Sequence, residues 1–291
     1  MRIAIILAGR NVRVFLRDKT AVLFTFLSVF IIVSLYALFL GDSMVGRLAE
    51  HIGDIRIAQA FTDTWVMAGV LVVSSVTVTL GALEIVISDK NNGSTKDFLV
   101  APIRRWQIVM AYLMSSWAVG LIMGLLVLAL SQFYIAVRGG DLISLRGLLG
   151  VIGLMVVNVL SFSASNYLLV SFLSSNAAFS TFSTIIGTMV GFVTGVYVPL
   201  GILPGFVQNI IQLIPATHSA AIMRRLFMAA PLKGMYENVS VEIAEEFTSV
   251  YGIVLHRGGS TIGGWASISY IAAVGAVFFG ASVLRMLRKR A

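Results

Sequence analysis

The groups able to do covalent, metal or nucleotide chemistry are few in this chain and lie far apart. There is no cysteine, which removes disulfides, thiolate nucleophiles and Cys-based metal sites. His51, His218 and His256 share no helix-face spacing suited to a metal, and no H-E-x-x-H motif occurs. A phosphate-binding loop, G-x-x-x-x-G-K-[ST], is also absent, because Lys19-Thr20 is preceded by Asp18 where glycine is required. An ion-coupled carrier keeps costly ionisable side chains within the bilayer; here only Glu84, at the edge of an apolar run, approaches that pattern. The chain therefore carries no assignable catalytic, cofactor or metal residues, and its function has to be sought in the elements that cross or line a membrane.

Those elements dominate the sequence. From Gly147 to Met223 there is no Asp, Glu, Lys or Arg. At about 20 apolar residues per helical span, this stretch holds two spans and something more. Its second half contains GVYVPLGILPG, from Gly195 to Gly205. A Gly/Pro-broken backbone at membrane depth persists only where protein or water satisfies its freed N–H and C=O groups, so Pro199 and Pro204 predict a re-entrant element lining a path. Hydrophobic residues make up 58% of the chain and charged residues 12%, with a mean hydropathy of +0.95. Soluble domains carry about 25% charged residues, so this is an integral membrane protein. Apolar runs at Ala21–Leu40, Trp65–Leu83, Ile108–Val137, Leu148–Leu173, Phe179–Val198 and Gly264–Leu284 predict six transmembrane helices in an all-α fold, one domain over residues 1–291.

Lys and Arg assign the sides by the positive-inside bias. Arg2, Arg10, Arg13, Arg17 and Lys19 precede the first run, Lys90, Lys96, Arg104 and Arg105 follow the second, and Arg285, Arg288, Lys289 and Arg290 follow the sixth. The opposite short loops hold only Arg47, Arg56, Arg138 and Arg146. Both termini are thus expected in the cytoplasm of a prokaryotic cell, with residues 199–263 forming a re-entrant and extracellular segment. The net charge of +8 is a topology signal rather than a nucleic-acid footprint.

Two polar segments have structure of their own. On a helical wheel Arg2, Arg13, Arg17 and Arg10 occupy a sector of roughly 80°, with mostly apolar residues around the rest. Residues 1–19 therefore read as an amphipathic helix lying in the membrane interface, with Thr20 capping the first span. In residues 84–107, Asn92-Gly93 forms a turn, Ser94 and Asp97 have capping-box spacing, and a short helix runs from Thr95 to Val100. It carries Phe98 and Leu99 into a charged loop and ends before Pro102, which pushes Ala101 out of helical geometry.

The stretch NNGSTKDFLVAPIRRWQIVMAYLM resembles the first cytoplasmic loop of type-2 ABC exporter permeases, and GVYVPLGILPGFVQNIIQLIPATHSAAIMRRLF resembles the region after their fifth span, with Pro199, Pro204 and Pro215 in order. The basic N-terminal helix, six spans and basic tail extend the resemblance over essentially the whole chain. It implies the membrane half of an exporter for a hydrophobic or amphipathic substrate. It also implies a separate nucleotide-binding subunit that binds ATP and Mg²⁺, a second permease subunit, identical or paralogous, and contact with membrane lipids. The residues implied in coupling are Glu84, Thr95, Asp97, Phe98, Leu99 and Pro102 of the loop and Arg10, Arg13 and Arg17 of the N-terminal helix. The alternatives are a membrane-embedded scaffold, or a polytopic transporter without ATP coupling.

Gly187, Gly191 and Gly195 share one face of the fifth span, a small-residue ridge that fits a subunit seam or a lumen. Gly120 and Gly124 of the third span fit internal packing. The Ser, Thr and Asn side chains of the fourth and fifth spans, Asn158, Ser163 and Asn166 among them, are expected mostly to bond between helices.

Overall fold

A computed structural model describes residues 1–36, 38, 41–101, 103–257 and 259–288. The described residues are mostly helical. In chain order they form α1 (Arg2–Arg17), α2 (Lys19–Leu35), α3 (Gly41–Ile52), α4 (Ile55–Gly81), α5 (Glu84–Asn91), α6 (Ser94–Val100), α7 (Arg105–Val137), α8 (Leu145–Val170) and α9 (Asn176–Val193). After these come α10 (Gly205–Ile211), α11 (Pro215–Phe227), α12 (Ala229–Asn238), α13 (Val241–Val250) and α14 (Gly264–Arg288). Between α13 and α14 lies a small antiparallel hairpin of β1 (His256–Arg257) and β2 (Ser260–Thr261), with His256 opposite Thr261.

Five helical stretches among the described residues are long and apolar enough to cross a membrane: α4 with α5, α7, α8, α9 and α14. At 17 residues α2 is shorter than these, and Ala37, Phe39 and Leu40, the end of the first predicted span, lie outside the described residues. The run α4–α5 is the centre of the molecule, with 83% of its most apolar stretch buried, against 22% for α9 and for α14. Helices α7, α8, α9 and α11 pack around α4, and α14 packs on α8 and α11.

Several boundaries differ from the sequence reading, each for a local reason. Helix α4 starts ten residues before Trp65, because Asp54 accepts a hydrogen bond from the Arg56 amide at 2.7 Å and caps it. The helix therefore includes Asp63, a carboxylate that the apolar run excluded. The first predicted outside loop is helical as α3, which buries Leu48 and Ile52 against α4. Residues 84–91 continue α4 as α5 instead of opening a loop. The capping box expected of Ser94 and Asp97 is not formed; the cap position of α6 is Gly93, at φ 81, with no side-chain cap bond. At the other end Ala101 is extended, with φ −73 and ψ 154. Thr20 lies inside α2 and donates to Asp18 at 2.6 Å instead of capping the helix. The uncharged connection before α9 is set by Ser175, whose hydroxyl accepts from the Ala178 amide at 3.2 Å.

Lipid gives helices no hydrophobic reason to associate, so close packing and interhelical hydrogen bonds take over. Ser116 of α7 donates to the Thr79 carbonyl of α4 at 3.0 Å, with the Ser163 hydroxyl of α8 at 2.8 Å from it. Asn166 donates to the Val76 carbonyl at 3.0 Å and to the Thr79 hydroxyl at 3.1 Å. Gly120 and Gly124 lie at the same contacts: a Cβ on Gly120 would meet Thr79 and Val159 at 2.9 Å, and one on Gly124 would meet Met155 at 2.6 Å.

Candidate functional site

On the face carrying the amino terminus, α5 ties four other elements together. Its Asp89 is 1% exposed, and a buried carboxylate must be paired and hydrogen-bonded to be tolerated. Arg10 of α1 meets it with both terminal nitrogens, at 2.7 and 2.8 Å, and the Tyr112 hydroxyl of α7 donates to it at 2.9 Å. The Asp89 hydrogen bond raises the Arg10 guanidinium above its ordinary pKa, against the opposing effect of burial. Such a bidentate pair fixes direction as well as distance. One residue on, Lys90 donates to the Ser171 and Leu173 carbonyls at 3.3 and 2.9 Å, satisfying groups at the carboxyl end of α8. Asn91 donates to Asn176, the first residue of α9, at 2.9 Å.

Helix α1 reaches this position because its buried stripe is made of small residues. Ala4, Ala8 and Asn11 lie against α7, where large side chains would hold the helices apart. Arg13 and Arg17 are exposed, as are Ile3, Ile5, Ile6, Val14 and Leu16.

The short helix α6 sits beside this joint. Phe98 is half-buried against the cluster that includes Ile87, Ile108 and Tyr112, with the Arg10 guanidinium 6.0 Å from its ring centre. The apolar side chain that stands out is Val100, 86% exposed. Thr95 keeps a buried hydroxyl without a partner, Asp97 is exposed, and Glu84 is exposed at the start of α5. Pro102 and the side chain of Leu99 lie outside the described residues. Of the predicted coupling residues, the structure brings Arg10 and Phe98 together around Asp89.

The comparison with known families bears on what such a joint serves. A family model described as "ABC-2 family transporter protein" matches residues 54–284. This chain belongs to the ABC-2 transporter family. It is an integral membrane protein and a membrane subunit of an ABC transporter, and the family implies a nucleotide-binding partner. Comparison with curated proteins and with solved structures gives no match. The matched region of this ABC-2 protein includes Asp89, Phe98 and Tyr112 but begins after α1, so the Arg10 half of the joint lies outside it.

At the opposite face of this ABC-2 protein the chain breaks after α9. Gly195, at φ 72, donates from its amide to the Phe192 carbonyl at 3.0 Å, and the Val196 amide to the Gly191 carbonyl at 2.9 Å. This is the Schellman pattern, which needs a left-handed residue at Gly195. Pro199 and Pro204 precede a 3-10 turn over Leu200–Ile202 and α10, and Pro215 sits at the start of α11, where its missing N–H costs nothing. The three glycines do not form one ridge. A Cβ on Gly187 would meet nothing within 4 Å, Gly191 accommodates the Tyr197 ring, and Gly195 is the turn itself.

Two groups at this face were missed by the sequence reading. Asp63 is paired with Arg138 at 3.3 Å, with the Tyr134 hydroxyl at 3.4 Å. Arg224 of α11 is fully buried. It donates to the Thr194 carbonyl at 2.8 Å and lies 4.7 Å from the Trp65 ring centre, while Trp65 donates to the Tyr251 carbonyl at 2.8 Å. Besides Glu84, Asp63 within α4 and Arg224 in α11 are therefore ionisable groups that the sequence reading did not single out, and both are buried. Asp63 fell outside the apolar run that marked the span, and Arg224 sits in a segment read as extracellular. Between them Tyr36 donates to the Val196 carbonyl. His218 of α11 is held by two other groups: its Nε2 donates to the Gln212 backbone carbonyl at 2.9 Å and its Nδ1 faces the Ser267 hydroxyl at 3.1 Å. Burial lowers its pKa, which suits a neutral ring with one donor and one acceptor.

Proposed function

We propose that this chain is the permease subunit of an ATP-driven exporter, carrying a hydrophobic or amphipathic substrate outward across a prokaryotic cytoplasmic membrane. In this reading a separate subunit binds ATP and Mg²⁺, and the permease works with a second copy or a paralogue. The chain forms one domain with six spans, the first being the predicted run Ala21–Leu40, whose end lies outside the described residues. Helix α1 lies in the interface, residues 84–107 couple to the ATPase subunit, and residues 199–263 form the re-entrant and extracellular part. The face carrying α1 is cytoplasmic, which the Lys and Arg distribution supports.

The observation that carries the reading is the joint of Arg10, Asp89 and Tyr112 with α6 beside it. A push on α6 passes directly into α5, whose bonds reach α1, α7, α8 and α9. Its exposed contact is Val100, while Phe98 belongs to the permease's own packing. An ion-coupled carrier is less well supported, since Asp63 and Asp89 are each held by an arginine. Substitution Val100→Asp tests the proposal. It should strip the nucleotide-binding subunit from the purified permease and abolish substrate-stimulated ATPase activity, with permease abundance unchanged. Phe98→Ala should instead lower permease stability. Unchanged copurification and transport with Val100→Asp would leave a membrane scaffold or an uncoupled transporter as the better reading.

A further inference from the structure

Arg224 is a fully buried charged group that the coupling joint does not use. A guanidinium has five N–H donors, and here a single hydrogen bond, from one terminal nitrogen to the Thr194 carbonyl, is made; Nε and the other terminal nitrogen are buried with no partner. The surroundings compensate in part. Trp65 offers its ring face, and Thr194 closes the carboxyl end of α9, where the helix dipole favours a cation. Backbone closes in around the rest. A Cβ on Gly252, at φ 64, would lie 3.2 Å from the unpartnered terminal nitrogen, and one on Gly195 would lie 3.5 Å from it. These glycines end α13 and α9, so one cation is pinned where α11, α9, α13 and α4 meet.

We infer that Arg224 is the release residue of the far-face gate, keeping the segment after α9 poised to part from α11 and α13. Opening admits water to the donors that are unsatisfied when it is closed, so the charge favours the open arrangement, whereas an apolar side chain of similar size would favour the closed one. The seam is already hollow: a cavity of about 40 Å³ lies between the two sides, lined by Leu200, Gln208, Gln212, Ser249, Gly252 and His256, and the buried side-chain amide oxygen (Oε1) of Gln212 also lacks a partner. That volume admits water. The inference rests on the exporter reading for the direction of opening.

The test uses the cysteine-free chain with one probe, Thr194→Cys, fully buried at the seam. Intact cells are exposed to a membrane-impermeant maleimide, with ATP present and after ATP depletion. Arg224→Met should label at least about tenfold more slowly, as a shift toward the closed population requires, and should lose transport while unfolding no earlier than the parent protein. Arg224→Lys, which keeps the charge, should label within about threefold of the parent. Labelling of Arg224→Met at the parental rate would overturn the inference. So would failure of Arg224→Met to fold, because the guanidinium would then be holding the closed arrangement together. Dependence on Arg224 without any dependence on ATP would leave the gate in place and remove the exporter reading.

Discussion

Arg10 and Asp89 lie 79 positions apart in the chain and meet through two short hydrogen bonds, at 2.7 and 2.8 Å. The pair joins the amino-terminal helix, which could otherwise drift along the membrane surface, to the helix continuing the most buried span. Its two halves differ in exposure: the Asp89 side chain is 2% exposed and that of Arg10 40%. Losing Arg10 therefore leaves a buried, uncompensated carboxylate, whereas losing Asp89 leaves an arginine that water can reach.

A double-mutant cycle should reveal this asymmetry. Arg10→Met should destabilise the detergent-solubilised permease more than Asp89→Asn does. Breaking a fully buried pair costs about 3 to 5 kcal/mol; with Arg10 partly in water, a coupling of about 1 to 3 kcal/mol is expected. Thermal unfolding of the four proteins gives the coupling directly, and a value near zero would show that α1 is held by Ala4 and Ala8 alone.

Lys90 supplies a second, independent fastening. Its ammonium donates to the Ser171 and Leu173 carbonyls past the end of α8, where the carbonyls lack intrahelical partners. Lys90→Met should cost about 1 to 3 kcal/mol, as a lost charged hydrogen bond does, and should speed amide hydrogen exchange in residues 171–175. Exchange unchanged there would mean that Arg285, which stacks 3.5 Å from the Phe172 ring centre, holds the turn without help.

The orientation is open to direct test because the chain has no cysteine. Single cysteines at the exposed positions Ser43 and Ser260 should react with an impermeant maleimide in intact cells, and one at the exposed Asn92 only after permeabilisation. Labelling of Asn92→Cys from outside would reverse the assignment made from Lys and Arg.

What the sequence made legible was whatever depends on local pattern. Apolar length marked the helices now seen as α4, α7, α8, α9 and α14, and Gly195 with Pro199, Pro204 and Pro215 marked the break after α9. The short helix ending at Val100 was readable from Gly93 and the coming Pro102. Pairings across the chain were not readable. Asp89 looked like one polar residue in a charged segment, and nothing near Tyr112 announced that its hydroxyl would meet a carboxylate. Asp63 and Arg224 stayed hidden because apolar runs are scored along the chain, whereas burial is decided by what other helices bring alongside. Gly195 leaves the predicted glycine face for a related reason: spacing by four presumes a continuous helix, and α9 ends at Val193.

The glycines of α9 should consequently behave as three separate sites. A Cβ on Gly191 would fall 2.1 Å from the Tyr197 ring, which is turned back on the helix and also meets Phe192 edge-on with centroids 5.2 Å apart. Gly191→Ala should therefore cost about 1 to 3 kcal/mol through overpacking, and much of that loss should be recovered in Gly191→Ala/Tyr197→Ser, which clears the space. Gly195→Ala should be destabilising in any background, since its φ of 72 is unfavourable for a side chain and Leu200 lies 2.9 Å from the added carbon. Gly187→Ala meets open space and should match the parent or gain up to about 1 kcal/mol from the stiffer unfolded chain. Thermal unfolding of the purified permease ranks the three. Equal losses at Gly187 and Gly191 would mean that both pack against another subunit rather than one against Tyr197, and mixing differently tagged copies would then identify that partner as a second permease.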